Sequence, residues 1–136
     1  MPILPGEWDK LIAAMRNFDE SRLACAAAER LHKEASVQDV PNLLSLLHDS
    51  DAFVREAAAW PLSELAGLSV LRELIVAYQR GIDQGLDNDG FSAALVDLVE
   101  MSPSESAAIL RDFASEPDAM MRKNAEWLLE FCAPPS

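Results

Sequence analysis

Two histidines, two cysteines and one acidic loop are the parts of this chain whose residue types invite chemistry. His32 and His48 would act as metal ligands or general bases, and either task needs a partner at fixed reach. Neither lies in an HExxH spacing, and no paired His–Glu dyad accompanies them; each falls at a helix end, where the dipole favours a protonatable ring. Cys25 sits in RLACAAAERL without a basic cluster suited to forming a thiolate, and Cys132 lies far off near the other end, with no CxxC. Both read as free, buried, inert thiols in a reducing cytosol. The stretch GLDNDGF invites a calcium site and fails it: with Gly90 at the invariant glycine, Gly85 falls on the first ligand position and Val96 on the bidentate one. Asp83, Asp87 and Asp89 read instead as a long acidic connection over 81–90. Asp89 there caps the next helix, and the loop offers contacts to a Lys- or Arg-rich partner. No catalytic residue, metal site or cofactor is expected.

What remains is a surface. Within HDSDAFVREAAAWPLSELAG, residues 48–67, the positions Val54, Ala58, Leu62 and Leu65 fall in one arc of a helix and make its core stripe. Phe53 and Trp60 are seven apart, stacked on a line roughly 130 to 150° from that stripe. The last helix repeats the arrangement, with Met121, Ala125, Leu128 and Cys132 as the stripe and Met120 and Trp127 off it. Val96 holds the matching place one unit earlier. Phe53, Trp60, Val96, Met120 and Trp127 therefore make an off-stripe apolar set, with Glu56, Glu64 and Glu100 on the same helices; should the stacking of the helices bring them to one face, aromatics ringed by polar residues would describe a contact surface. Packing of each indole between neighbouring helices is the alternative.

The elements that position these residues repeat. DSDAFVREAAAWPLSEL aligns with SEPDAMMRKNAEWLLEF: Asp51 matches Asp118, Val54-Arg55 matches Met121-Arg122, and Ala58, Trp60 and Leu62 match Ala125, Trp127 and Leu129. The Asp-to-Ala interval recurs at Asp19–Ala26 and Asp87–Ala94, a spacing suited to two-helix units. The pattern predicts helices at 7–17, 20–35, 38–48, 52–66, 69–82, 90–101, 103–114 and 119–132. Gly67 ends one helix; Ser69, Asp89 and Ser102 are candidate caps; Pro103 suits a first turn; and Pro61 predicts a kink. No sustained alternation of period two competes.

A helical hairpin with Asp in the turn, then Val-Arg and small alanines opening the second helix, resembles the HEAT repeat, and most of all the bacterial HEAT-like repeats of the phycobilin lyases. The resemblance is good over 38–67 and 103–132 and weak elsewhere; Phe91 stands where the third unit would carry arginine. It implies an all-α, right-handed solenoid of about four hairpins (7–35, 38–67, 69–101, 103–132) in one domain spanning 1–136. It also implies a structural ladder of Asp51, Arg55, Asp118 and Arg122 between neighbouring turns, and a concave face lined by the second helices.

Composition bounds the partner. Half of the 136 residues are hydrophobic, and 23 acidic against 11 basic residues leave a net charge of −12. Such a chain repels nucleic acid and anionic membranes and suits a basic protein. Its first residues, MPILPGEWDK, read as neither a signal peptide nor a span, so a cytoplasmic location is expected. The expected function is non-enzymatic protein binding through Phe53, Glu56, Trp60, Glu64, Asp87, Asp89, Val96, Met120 and Trp127. A specific form of it is an immunity or antitoxin protein covering a basic toxin. The alternative, from the lyase resemblance, is an accessory enzyme for bilins, which would need basic groups, of which this surface has few.

Overall fold

The computed structural model describes residues 2–17, 19–86 and 88–132, and the described residues form helices and connections without a strand. In order these are α1 (Pro5–Met15), α2 (Ser21–Glu34), α3 (Val40–Leu46), α4 (Ala52–Ala66), α5 (Leu71–Asp83), α6 (Asp89–Met101), α7 (Pro103–Ala114) and α8 (Ala119–Leu129). Short 3-10 turns at Val37–Asp39 and Gly67–Val70 lead into α3 and α5, and they take in residues 38–39 and 69–70, which the sequence pattern placed in α-helix. The chain divides into two compact units, Met1–Gly67 and Leu68–Ser136, each with two of the four hairpins.

In the first unit α1 packs on α2, α3 on α4, and α2 on α4. Each helix offers a stripe spaced three and four apart: Trp8, Leu11 and Met15 from α1, Ala24, Ala27 and Leu31 from α2, Val54, Ala58 and Leu62 from α4. Cys25 falls off the α2 stripe and is exposed, contrary to the buried thiol expected from sequence; only Cys132 is buried. In the second unit α7 packs on α8, and α5 and α6 close around them. Phe91, Leu95, Leu110, Met121 and Leu128 form its centre.

The punctuation is partly as expected. Gly67 ends α4 with φ +61°, a conformation that costs glycine little. Pro103 opens α7, but Ser102 at its N-cap makes no side-chain cap bond, the N-cap of α5 is Val70 rather than Ser69, and Asp89 is already helical behind Asn88. Helix α4 runs unbroken through the buried Pro61, although Ala57 thereby loses the backbone donor four residues on. At the start of α3 the carboxylate of Asp39, 1% exposed, accepts from the N–H of Ser36 at 2.8 Å and of Ile3 at 3.0 Å, fastening the lead-in segment to the first unit.

Candidate functional site

The strongest local architecture lies in the turns before α4 and α8. Asp51 accepts from the backbone N–H of Phe53 at 2.8 Å, and Asp118, sixty-seven residues on, accepts from Met120 at 3.0 Å. Each aspartate thus caps its own helix. The Arg55 guanidinium donates to the carbonyl oxygens of Asp49 (2.8 Å) and Ser50 (3.2 Å), and Arg122 to those of Glu116 (2.8 Å) and Pro117 (2.6 Å). These three bonds of one turn recur in the other. The resemblance implied rungs between turns for these four residues, whereas the hydrogen bonds just given hold each turn to itself.

Two arginine–carboxylate pairs that link one hairpin to the next, one in each unit, come from residues the sequence did not single out. Arg16, at the end of α1, pairs with Asp49, whose side chain is only 6% exposed. Arg72, at the start of α5, grips Glu116 with both its terminal nitrogens, one of them at 3.0 Å, and lies 4.6 Å over the Phe113 ring. Asp49 and Glu116 are the same position of the repeat, so each matched turn receives an arginine from the preceding hairpin. Burial pulls the Asp49 carboxyl upward. The hydrogen bond from Arg16, the N–H of Asp51 and the Arg16 and Arg55 charges outweigh it and hold the group below its ordinary value.

The proposed contact residues separate between the units. In the first, Phe53, Glu56 and Trp60 on α4 are half-buried, and the Glu64 side chain is 59% exposed. Glu64 is not a bare rim charge: its Oε2 lies 2.8 Å from His32 Nε2 on α2, a partner thirty-two residues away that no spacing pattern announced. In the second unit Val96 and Met120 are half-buried and Asp89 is exposed, while Asp87 lies outside the described residues.

Trp127 departs from the open-surface expectation. It stacks on Tyr78 of α5 with ring centres 5.3 Å apart and planes 18° apart, and Phe131 meets it edge-on at 6.1 Å. Tyr78 also touches Phe91 at 6.0 Å. The indole is therefore a bridge from α8 to α5, with one side still half-exposed in a cleft of about 310 Å³ beside Gln79, Ile82, Lys123 and Asn124. Asn124 donates to Gln79 Oε1 at 2.9 Å across the same two helices. Beneath the acidic loop, Asn88 donates to the Tyr78 carbonyl at 2.7 Å, and a Cβ on Gly81 would lie 2.3 Å from its amide; this glycine lets the loop close on the helix end.

Among the described residues no group of three or more His, Cys, Asp or Glu side chains is placed to hold a metal ion, and no helix is long and apolar enough to cross a membrane. Burial pushes the Cys132 thiol above its ordinary value, only partly offset by Arg111, which keeps it protonated and unreactive near neutrality. A scan against protein-family models gave no match, and neither the curated proteins nor the solved structures gave a significant one.

Proposed function

We propose that this chain is a non-enzymatic protein-binding module. In this reading its four hairpins are HEAT-like repeats stacked as a right-handed solenoid, and the face of its second helices takes a basic protein partner. The observation that carries the reading is on α4. Phe53 and Trp60 sit off a fully buried stripe of Val54, Ala58 and Leu62, half-exposed, on a helix whose far end carries Glu64, exposed though paired with His32. A large aromatic left partly in water beside carboxylates, in a chain of net charge −12, fits a contact that buries the ring and pairs the acids with cations. The form we favour is an immunity protein that neutralises a basic toxin by covering it.

Co-expression with the product of the adjacent open reading frame tests this. If that product is toxic and basic, the chain restores growth, Trp60→Ala weakens the complex by at least about 2 kcal/mol, and Glu56→Lys with Glu64→Lys slows association and flattens its salt dependence. Rescue that is indifferent to all three substitutions, or an adjacent product that does not bind, sinks the reading.

A further inference from the structure

We propose that the cleft between α5 and α8 is a small-molecule site, independent of the α4 face, for a flat aryl group that carries one carboxylate. The cleft, about 310 Å³, is lined by Tyr78, Gln79 and Ile82 from α5 and by Lys123, Asn124 and Trp127 from α8. That volume is at the low end for ligand pockets and suits one ring or two fused rings. The aromatic wall is built in advance: the Tyr78 stack and the Phe131 edge contact fix Trp127, which stays half-exposed. Ile82, 39% exposed, extends the apolar surface. A ring laid against an indole that is already held loses little order on binding.

The polar lining selects the charge. Asn124 spends both amide hydrogens, on Gln79 Oε1 at 2.9 Å and on the Met120 carbonyl at 3.1 Å. Gln79 gives one amide hydrogen to Asp83 Oδ1 at 2.8 Å. The donors left over are the second Gln79 N–H and the Lys123 ammonium, and both call for an acceptor. Lys123 is exposed and enters no ion pair or hydrogen bond among the described residues, unlike Arg16, Arg30 and Arg72. No carboxylate is among the described residues that line the cleft, and Asp83 lies outside the lining. One uncompensated cation fits one carboxylate. The net charge of −12 opposes a dianion such as a phosphate monoester, for which a single lysine is too little, so most of the affinity comes from the ring.

The test is a titration of the full chain at neutral pH with 2-naphthoate, read at the indole N–H resonances, with Trp127→Phe assigning the Trp127 signal. The expected result is a saturable shift of that signal, with those of Trp8 and Trp60 unmoved. 2-Naphthamide, the same ring without the charge, binds roughly two- to fivefold more weakly, the range of an exposed ion pair. Lys123→Met, a change at an exposed position, lowers the acid to the level of the amide. 2-Naphthylmethylammonium, which the net charge favours and Lys123 opposes, is the weakest of the three. The proposal is overturned by the absence of a saturable shift at Trp127, by amide binding as tight as that of the acid, by acid binding unchanged in Lys123→Met, or by tightest binding of the ammonium.

Discussion

Arg55 and Arg122 perform one task in two places, but in different surroundings. Arg55 is 1% exposed and Arg122 half-buried. A guanidinium out of water is tolerable only when its donors are met, and here main-chain carbonyls of the turn meet them. Arg55→Ala is expected to cost about 2–3 kcal/mol and Arg122→Ala about 1 kcal/mol by urea denaturation, because only the first removes a fully buried side chain together with its hydrogen bonds. Asp49 gives a pH signature. Its carboxyl titrates below its unfolded value, near 3.9, so the pairing with Arg16 contributes above that pH and is lost as pH falls through the lower folded value. Melting temperature followed from pH 6 down to about pH 2 should therefore fall less steeply in Asp49→Asn than in the parent. A parallel fall would assign the acid sensitivity to other carboxylates.

At the level of single helices, the eight elements were readable because three- and four-residue spacing is an intrinsic property of a buried helical face. The 3-10 turns were not, since Val37–Asp39 and Gly67–Val70 differ from an α-turn by one hydrogen-bond register that side-chain pattern does not encode. In α2, ACAAA is apolar at every position, so the pattern could not tell that Ala24 and Ala27 face inward and Cys25 outward. The contact residues were half legible. That Phe53 and Trp60 lie off the stripe follows from spacing within one helix, whereas the Tyr78–Trp127 stack joins helices forty-nine residues apart, where no period connects them. This difference separates two truncations. Trp127→Ala loses a stacked ring and an edge contact, and aromatic pairs are worth about 0.5–1.5 kcal/mol each beyond their area. It should cost more stability than Trp60→Ala, compared by thermal unfolding of the two variants. A larger loss at Trp60 would mean that α4 carries its indole as packing.

Over the full chain, acidic residues outnumber basic ones by 11 to 6 in 1–67 and by 12 to 5 in 68–136, so neither unit is the sole source of the charge. Division into two compact units predicts unfolding in more than one step. The tryptophans report on them separately, Trp8 and Trp60 for the first and Trp127 for the second. A Trp127→Phe chain and a Trp8→Phe/Trp60→Phe chain should give urea midpoints that differ from each other beyond the shift each substitution makes in circular dichroism. Superimposable curves would make the chain one cooperative block. The matched turns carry a consequence for how quickly such a chain finds its structure. Each arginine closes on carbonyls only five or six residues behind it, and a loop of about ten residues closes in roughly 10–100 ns, far ahead of any hairpin docking. Helices α4 and α8 therefore begin at self-contained nuclei, the local kind of contact that goes with fast folding. Removing Arg55 should then show mainly as slower refolding in a stopped-flow chevron, with the unfolding limb nearly unmoved.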